Sequence, residues 1–438
     1  MNTGTGKPSA VTRRGFFKSA SASLAGGALL ATLPGIARGV PGPAGGDDTL
    51  KIAVVGCGGR GTGAAAQAMN TGKNVKLVAM AEAFEDRLED SLERLKSLNP
   101  DQVDVPADHR FVGFEGYQDA IALADVVILA TPPGFRPAHF EAAVQAGKHV
   151  FMEKPVAVDA PGVRRVLVAG KKAQEKNLKV GVGFQRRHQN GYLETVRRLR
   201  EGAIGDLVSM RGYWNSQGVW VRPRQPAWTE MEYQMRNWYY FNWLCGDHIV
   251  EQHVHNIDVI NWIKDGFPVR AQGQGGRQVR DGPDHGEIFD HHFVEFEYAD
   301  GSRFYSQCRH QPGWATVSEY AQGTRGRADI SGYRIEGERK WRYEGDDTNP
   351  YQAQQDALFD AIQNNKPFNE VDYSAKSTLT AIMGRMCTYS NRMISWEDAY
   401  DSKLSISPDR FAWDADPPTL PDENGRYPVP QPGSTVVL

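Results

Sequence analysis

LKIAVVGCGGRG, residues 50–61, passes from a short apolar run straight into a glycine-rich loop, and AAAQAM at 64–69 continues it as a helix-prone segment. Strand, GxGxxG and helix, in that order, open a dinucleotide-binding βαβ unit. Gly56 permits the tight turn, Gly58 lets the backbone approach a pyrophosphate, and Gly61 lets helix and strand pack closely. The helix N-terminus then faces the phosphates with unpaired N–H groups and the positive end of its dipole. A second apolar run, VKLVAMA at 75–81, ends at Glu82. An acidic side chain there accepts hydrogen bonds from the adenosine ribose and repels a 2′-phosphate, so NAD is expected rather than NADP.

The alternation continues outward. ADVVILAT (124–131) reads as a third buried strand ending at Pro132-Pro133, residues 140–146 as a helix closed by Gly147, and KHVFM (148–152) as another strand. Strands alternating with helices build a doubly wound parallel sheet, an α/β Rossmann domain, whose ligand lies at the carboxyl ends of the strands. Those ends carry Gly56, Glu82, Thr131 and Glu153-Lys154-Pro155. Further strands are expected over 207–214, 269–274, 293–298 and 302–308, with Ala299-Asp300-Gly301 joining the last two as a hairpin. Helices are expected over 192–201, 352–363 and 375–393.

The chain has 438 residues, enough for two or three domains. A net charge of −3 argues against nucleic acid as the main partner. Cys57, Cys245, Cys308 and Cys387 are too few and too scattered for a disulfide framework or a CxxC zinc site. Thr12-Arg13-Arg14-Gly15-Phe16-Phe17-Lys18, followed by a small-residue apolar run from Ala20 to Leu33, reads as a twin-arginine signal with a cleavage region near Ala37-Arg38-Gly39. That run is too short to span a bilayer, and no later stretch reaches ~18 apolar residues, so no stable membrane anchor is expected. The expected organisation is a signal peptide at 1–39, a linker at 40–48, a nucleotide-binding domain at 49–180 and a substrate domain at 181–438 whose C-terminal segment packs back on the first. The expected location is periplasmic or secreted, reached through the twin-arginine export machinery.

KHVFMEKP (148–155), with TPPGFRPAHFEAAVQAG (131–147) before it, resembles the Gfo/Idh/MocA oxidoreductases, named for glucose–fructose oxidoreductase and inositol dehydrogenase. The glycine fingerprint and Gly183-Phe184-Gln185-Arg186-Arg187 extend the resemblance across nearly the whole mature chain. It implies a Rossmann domain followed by an α+β domain with an open, mostly antiparallel sheet. It also implies NAD(P)-dependent chemistry on sugars or polyols, and a homo-oligomer. The expected nucleotide-binding set is Gly56, Gly58, Gly59, Arg60, Gly61, Glu82, Thr131, Pro132, His139, Glu153, Lys154 and Gln185.

Hydride transfer from a carbinol carbon needs a nicotinamide facing that carbon, a base for the hydroxyl proton and a donor to hold the oxygen. Lys154 sits at a strand end beside the expected nicotinamide, where a cationic ring and burial lower an ammonium pKa. By resemblance it holds the reacting hydroxyl. The motif GDHIVEQHVHNID, residues 246–258, read as one helix, places His248, Glu251, His255, Asp258 and Trp262 on one face. So many ionisable groups on one stripe are costly in a plain core. In the family this helix carries an Asp and, four residues on, a His; Glu251 and His255 stand in those positions. His255 is therefore the expected acid/base, with Glu251 orienting it or binding a substrate hydroxyl, while His253 falls on another face. A metal gathered by His248, Glu251 and His255 is a competing reading of the same side chains, but the spacing is no standard zinc signature and no metal is expected.

An aromatic-rich stretch from Trp214 to Trp243, with Arg236 and Asn237 inside it, suits a sugar site. The expected substrate contacts are Arg186, Trp214, Arg236, Trp238, Tyr240, His248 and His255, with Asp290-His291-His292 as further lining. Outside the cytoplasm there is no dependable pool of free NAD, so an exported enzyme is expected to hold its cofactor tightly and to restore it within its own cycle. Three function classes stay open. One is an exported sugar or glycoside oxidoreductase. Another is an NAD-dependent glycosidase that oxidises, eliminates, adds water and reduces. The third is a non-catalytic sugar-binding protein of the same fold.

Overall fold

A computed structural model describes residues 49–72 and 74–438. The twin-arginine stretch, the apolar run after it and the expected linker lie outside the described residues. Six short strands form the first sheet: β1 (Leu50–Val55), β2 (Val75–Glu82), β3 (Arg110–Val112), β4 (Val126–Leu129), β5 (His149–Met152) and β6 (Val180–Val182). They run parallel in the order β3-β2-β1-β4-β5-β6. The helices between them are α1 (Gly59–Met69), α2 (Glu85–Leu98), α3 (Gly116–Leu123), α4 (Arg136–Gln145) and α5 (Ala160–Glu175).

Side chains alternate across a strand, so the two faces of β1 feed two cores. Ile52 and Val54 join Ala65, Leu88 and Leu92 of α1 and α2, whereas Ala53 and Val55 join Phe140 and Val163 of α4 and α5. Burial on both faces is why these strands read as unbroken apolar runs. Strand order reverses between β1 and β4, and the crevice at their carboxyl ends is the ligand position of a doubly wound sheet. The sheet extends beyond the expected boundary at 180, because β6 pairs with β5 through Val180–Val150 and Val182–Met152.

The second sheet has nine strands: β7 (Leu207–Ser216), β8 (Arg270–Gly276), β9 (His291–Glu297), β10 (Arg303–His310), β11 (Thr316–Gly323), β12 (Gly326–Asp329), β13 (Arg334–Glu336), β14 (Lys340–Arg342) and β15 (Ile394–Ser395). Their order is β14-β13-β12-β11-β7-β10-β9-β8-β15, with β7 and β10 parallel and every other pair antiparallel. Helices α6 (Asn190–Arg200), α7 (Glu230–Arg236), α8 (Asn242–Cys245), α9 (His248–Glu251), α10 (Val254–Lys264), α11 (Pro350–Gln363), α12 (Val371–Ser390) and α13 (Trp396–Asp401) complete the fold. Along β10, Phe304, Ser306, Cys308 and His310 are buried while their neighbours are half exposed, the period-two signature of a sheet covered on one side.

Two features tie the second half to the first. Helix α11 lies against α1 and places Leu358, Phe359 and Ile362 in the core that holds Ile52 and Val54. Those three side chains contribute on the order of 5 kcal/mol of burial to the first sheet. Residues 246–262 are not one helix. His253 N–H donates to His248 O at 3.1 Å, a wide turn that separates α9 from α10. The slip rotates the two pieces, so the single polar face expected from helical spacing does not form.

Candidate active site

The glycine loop is shaped by close backbone approach. Gly56 has φ +93°, and a Cβ there would lie 2.5 Å from Thr131 N. A Cβ on Gly61 would lie 1.9 Å from Gly56 O, so α1 sits on the turn only because that side chain is absent. By contrast a Cβ on Gly58 or Gly59 meets nothing within 4 Å. The first turn of α1 has no side-chain cap and no acidic residue, which leaves its N–H groups facing this open space. An orphaned helix terminus beside an open glycine cradle fits a diphosphate. Gly61→Ala is expected to lower stability by about 3 kcal/mol and to abolish nucleotide retention, read by thermal unfolding and by nucleotide content.

Around this loop lies a cavity of about 530 Å³. Gly56, Gly58, Gly59, Arg60, Glu82, Thr131, Pro132, His139, Glu153, Lys154 and Gln185 line it; Gly61 stands behind it as packing. Glu82 accepts hydrogen bonds from Cys57 N–H at 2.7 Å and Ala83 N–H at 2.8 Å, so it clamps the loop to the end of β2 as well as lining the cavity. Burial pushes its carboxyl pKa up, and these backbone donors offset part of that rise. Arg60 Nε lies 2.9 Å from Glu153 Oε1 and its guanidinium sits 4.9 Å from the Tyr351 ring. Arg136 donates to Thr131 O at 2.6 Å, fixing the turn after β4. His139 packs tilted against Tyr117, ring centroids 4.2 Å apart, and burial beside Arg136 lowers its pKa to about 3, so the ring is neutral.

At the opposite wall the chain brings Lys154, Glu251 and His255 together. Lys154 Nζ donates to Glu251 Oε1 at 2.9 Å and also to the Glu251 carbonyl oxygen. Both side chains are only 12% exposed, so the ammonium is held in one place by a largely desolvated partner. His255 is buried between Trp214, stacked at 6.0 Å and 22°, and the edge of Phe184 at 5.9 Å. Burial, then the nearby charges of Lys154 and Arg186, push its pKa well below the ordinary histidine value. Its Nδ1 is buried without a hydrogen-bond partner, an unmet polar atom in a neutral ring. Trp214, Trp220 and Trp238 line the same space.

Four of the expected substrate contacts lie off the cavity wall. Arg186 is ion-paired with fully buried Glu319, and Arg236 holds Asp86 at 3.1 Å and Glu232 at 3.0 Å. Tyr240 turns its hydroxyl to Val219 O at 3.2 Å. His248 is fully buried, with Nδ1 2.8 Å from Asp247 Oδ1. His253 spans Ser306 Oγ at 2.8 Å and Asn256 Oδ1 at 3.3 Å, an interior packing role.

Because α9 and α10 are rotated apart, His248, Glu251 and His255 do not converge as metal ligands. Among the described residues the group whose ligand atoms do converge is Asp247, His248 and His292. There Asp247 already accepts from His248 N–H, Phe289 N–H at 3.0 Å and the Tyr389 hydroxyl at 2.5 Å. Burial raises the Asp247 carboxyl, but His292 and His248 outweigh it and hold the pKa well below the usual carboxylate range. The cluster is thus a buried anion met by donors. Asp290, His291 and His292 do not line the cavity either. The lining side chains that the sequence did not reveal include Arg87, Tyr117, Arg222, Gln252 and Tyr351, which come from separate elements and share no spacing.

Residues 50–184 match a family model described as "Oxidoreductase family, NAD-binding Rossmann fold", and residues 192–334 match the GFO/IDH/MocA C-terminal domain, together well over half of the chain. The chain belongs to the GFO/IDH/MocA oxidoreductase family. Among curated members of this family, the inositol 2-dehydrogenase of Salmonella typhimurium is 29% identical over 222 residues, 49% of this chain and 54% of that one. The chain thus spans about half the length of such relatives. The inositol 2-dehydrogenase of Burkholderia multivorans is 30% identical over 58% of this chain and 66% of its own. GFO/IDH/MocA-type folds among solved structures include scyllo-inositol dehydrogenase from Lactobacillus casei with bound NAD(H) and scyllo-inositol. Its TM-score is 0.61 at 20% identity, covering 80% of this chain and all of that one. Aldose-aldose oxidoreductase from Caulobacter crescentus has a TM-score of 0.63 at 18% identity, covering 79% and 99%. At these identities the structural likeness speaks for the fold.

Proposed function

We propose that this protein is an exported NAD(P)-dependent oxidoreductase that interconverts a secondary hydroxyl of a sugar, glycoside or polyol with the ketone. The observation that carries this is one cavity with the glycine cradle at one end and Lys154, Glu251 and His255 at the other. Gly58, Gly59 and the first turn of α1 hold the diphosphate, and Glu82 holds the adenosine ribose. Because Glu82 is acidic, NAD is preferred to NADP. A bound dinucleotide would supply the acceptor for the hydride of a carbinol carbon. The chain's own residues handle the oxygen and the proton. An ammonium has three N–H donors, and Glu251 occupies two of those on Lys154, which leaves one for the substrate oxygen. The His255 ring, kept neutral by burial, takes the hydroxyl proton and returns it in the reverse direction. Trp214 and Trp238 offer aromatic faces to sugar C–H groups.

Export makes a tightly held cofactor useful, and walls contributed by Gln185, Glu251 and Tyr351 as well as by the glycine loop favour retention. A second copy of the chain is proposed to cover the outer face of the nine-stranded sheet, where Phe293 is 39%, Val208 51% and Trp314 63% exposed. Denaturing the purified mature protein and analysing the released nucleotide tests the cofactor, with NAD(H) expected at about one per chain. Incubating intact protein with a panel of inositols, aldoses and glycosides then tests the reaction, with nicotinamide reduction expected. Protein that neither carries nor binds NAD(P)(H) removes the proposal.

A further inference from the structure

Two buried side chains, Arg280 and His310, aim the Gln252 amide into the cavity. Gln252 lines the cavity next to Glu251. Its Oε1 lies 3.0 Å from His310 Nε2. His310 Nδ1 is hydrogen-bonded to Arg280 Nη2. A guanidinium only donates, so Nδ1 is the acceptor and the ring proton sits on Nε2. That proton goes to Gln252 Oε1. A flipped amide would set two donors against each other, so the orientation is fixed: oxygen toward His310, NH2 toward the cavity. Among the described residues the Gln252 amide nitrogen donates to no other group.

The chain behind His310 is anchored at each step. Arg280 is buried and donates its second nitrogen to Phe289 O at 2.6 Å. The loop that carries it is tied by Asp290 Oδ2, which accepts from Gln278 N–H at 2.7 Å and Val279 N–H at 2.6 Å. The His310 ring is stacked against His248 at 4.6 Å and 28°. Burial, then His248 and Arg280, keep that ring neutral, which preserves the polarity of the relay. A row of groups this ordered, ending in an unused NH2 on a cavity wall, has the form of a ligand-positioning device rather than of a satisfied core.

We propose that Gln252 is a substrate-binding donor, pre-aimed by Arg280 and His310, that selects substrates carrying a second acceptor oxygen besides the one at the reacting carbon. The inference rests on the oxidoreductase reading above. It assigns Asp290, Arg280 and His310 as positioning residues for a contact that Lys154 does not make.

The test compares Gln252→Ala, His310→Leu and His310→Gln with wild type on myo-inositol, other inositols and aldoses. Gln252→Ala and His310→Leu are expected to raise KM about tenfold with kcat little changed, since an oxygen that does not react is held equally in ground and transition states. The NAD(H) content released on denaturation, and the thermal midpoint, stay at the wild-type values and show that the fold is intact. His310→Gln is expected to recover most of the loss, because its oxygen accepts from Arg280 and its nitrogen donates to Gln252. KM unchanged in both Gln252→Ala and His310→Leu, with NAD(H) content and thermal midpoint intact, overturns the inference alone. Wild-type protein that binds NADH but reduces or oxidises no substrate of the panel overturns the reading beneath it, and the inference with it.

Discussion

Lys154→Met is expected to lower turnover by about a thousandfold while the nucleotide stays bound. The methionine keeps the length and apolar stem of lysine but removes the ammonium that faces both Glu251 and the open cavity. Two effects then add. The substrate oxygen loses its donor, and Glu251 keeps a largely desolvated carboxylate without its partner. Lys154→Arg restores charge, but a planar fork does not reproduce a compact ammonium held between a carboxylate and a carbonyl oxygen, so an intermediate rate is expected. Single-turnover measurements of nicotinamide absorbance, with nucleotide content assayed on the same samples, separate chemistry from cofactor loss. Turnover within a few fold of wild type in Lys154→Met would remove Lys154 from the reaction.

Acidification is expected to destabilise the protein steeply just below pH 6.5. His139, His248, His253, His255 and His310 are all buried, and burial is the leading cause that lowers each pKa, to about 3 for His139 and His253 and about 4 for His248. The sign follows from proton binding. Unfolded histidines take up protons below about 6.5 and the folded ones do not, so the unfolded state binds more protons and stability falls as pH drops. The contribution is fully present above the unfolded value and is lost as pH falls toward the folded ones. Between about pH 6.5 and 5.5 each histidine removes about 1 kcal/mol, or about 5 kcal/mol for the five. For a chain of this size that lowers the thermal midpoint by roughly 5–10 °C. Asp247 continues the trend at lower pH, because a carboxyl held below its ordinary value loses its contribution as pH falls further. Calorimetric scans across this range check the slope; a flat midpoint from pH 7 to 5 would mean that these rings are charged or solvated in the folded state.

The nucleotide-binding half was legible because its strands are buried on both faces. Ile52, Val54, Val127 and Ile128 leave no alternation to misread, and the glycine spacing marks where the first strand stops. Strand β3 and strands β11 to β14 were not: β3 and β12 to β14 span only three or four residues each, and Arg110, Glu319, Arg327, Arg334 and Lys340 interrupt any apolar run. At the site, the sequence pointed to Lys154, Glu251 and His255, which the fold brings to one wall. It misplaced His248, because a single wide hydrogen bond between His253 and His248 rotates α9 away from α10 and no propensity announces it. It also gave Arg186 and Arg236 to the substrate, because their partners Glu319 and Asp86 lie 133 and 150 residues away. Gln252 and Tyr351 were out of reach for a similar reason: their meaning depends on what stands opposite them.

The seating of α11 on the first sheet bears on how the chain is made. Leu358, Phe359 and Ile362 complete the core under Ile52 and Val54, and Asn369 bridges to Val180 at the edge. A nascent chain that has emerged only through the last parallel strand therefore still shows water an apolar flank, and Tyr351 has yet to cover Arg60. Capture of a dinucleotide is therefore expected only after α11 has left the ribosome, so that ligand loading and completion of the first core coincide.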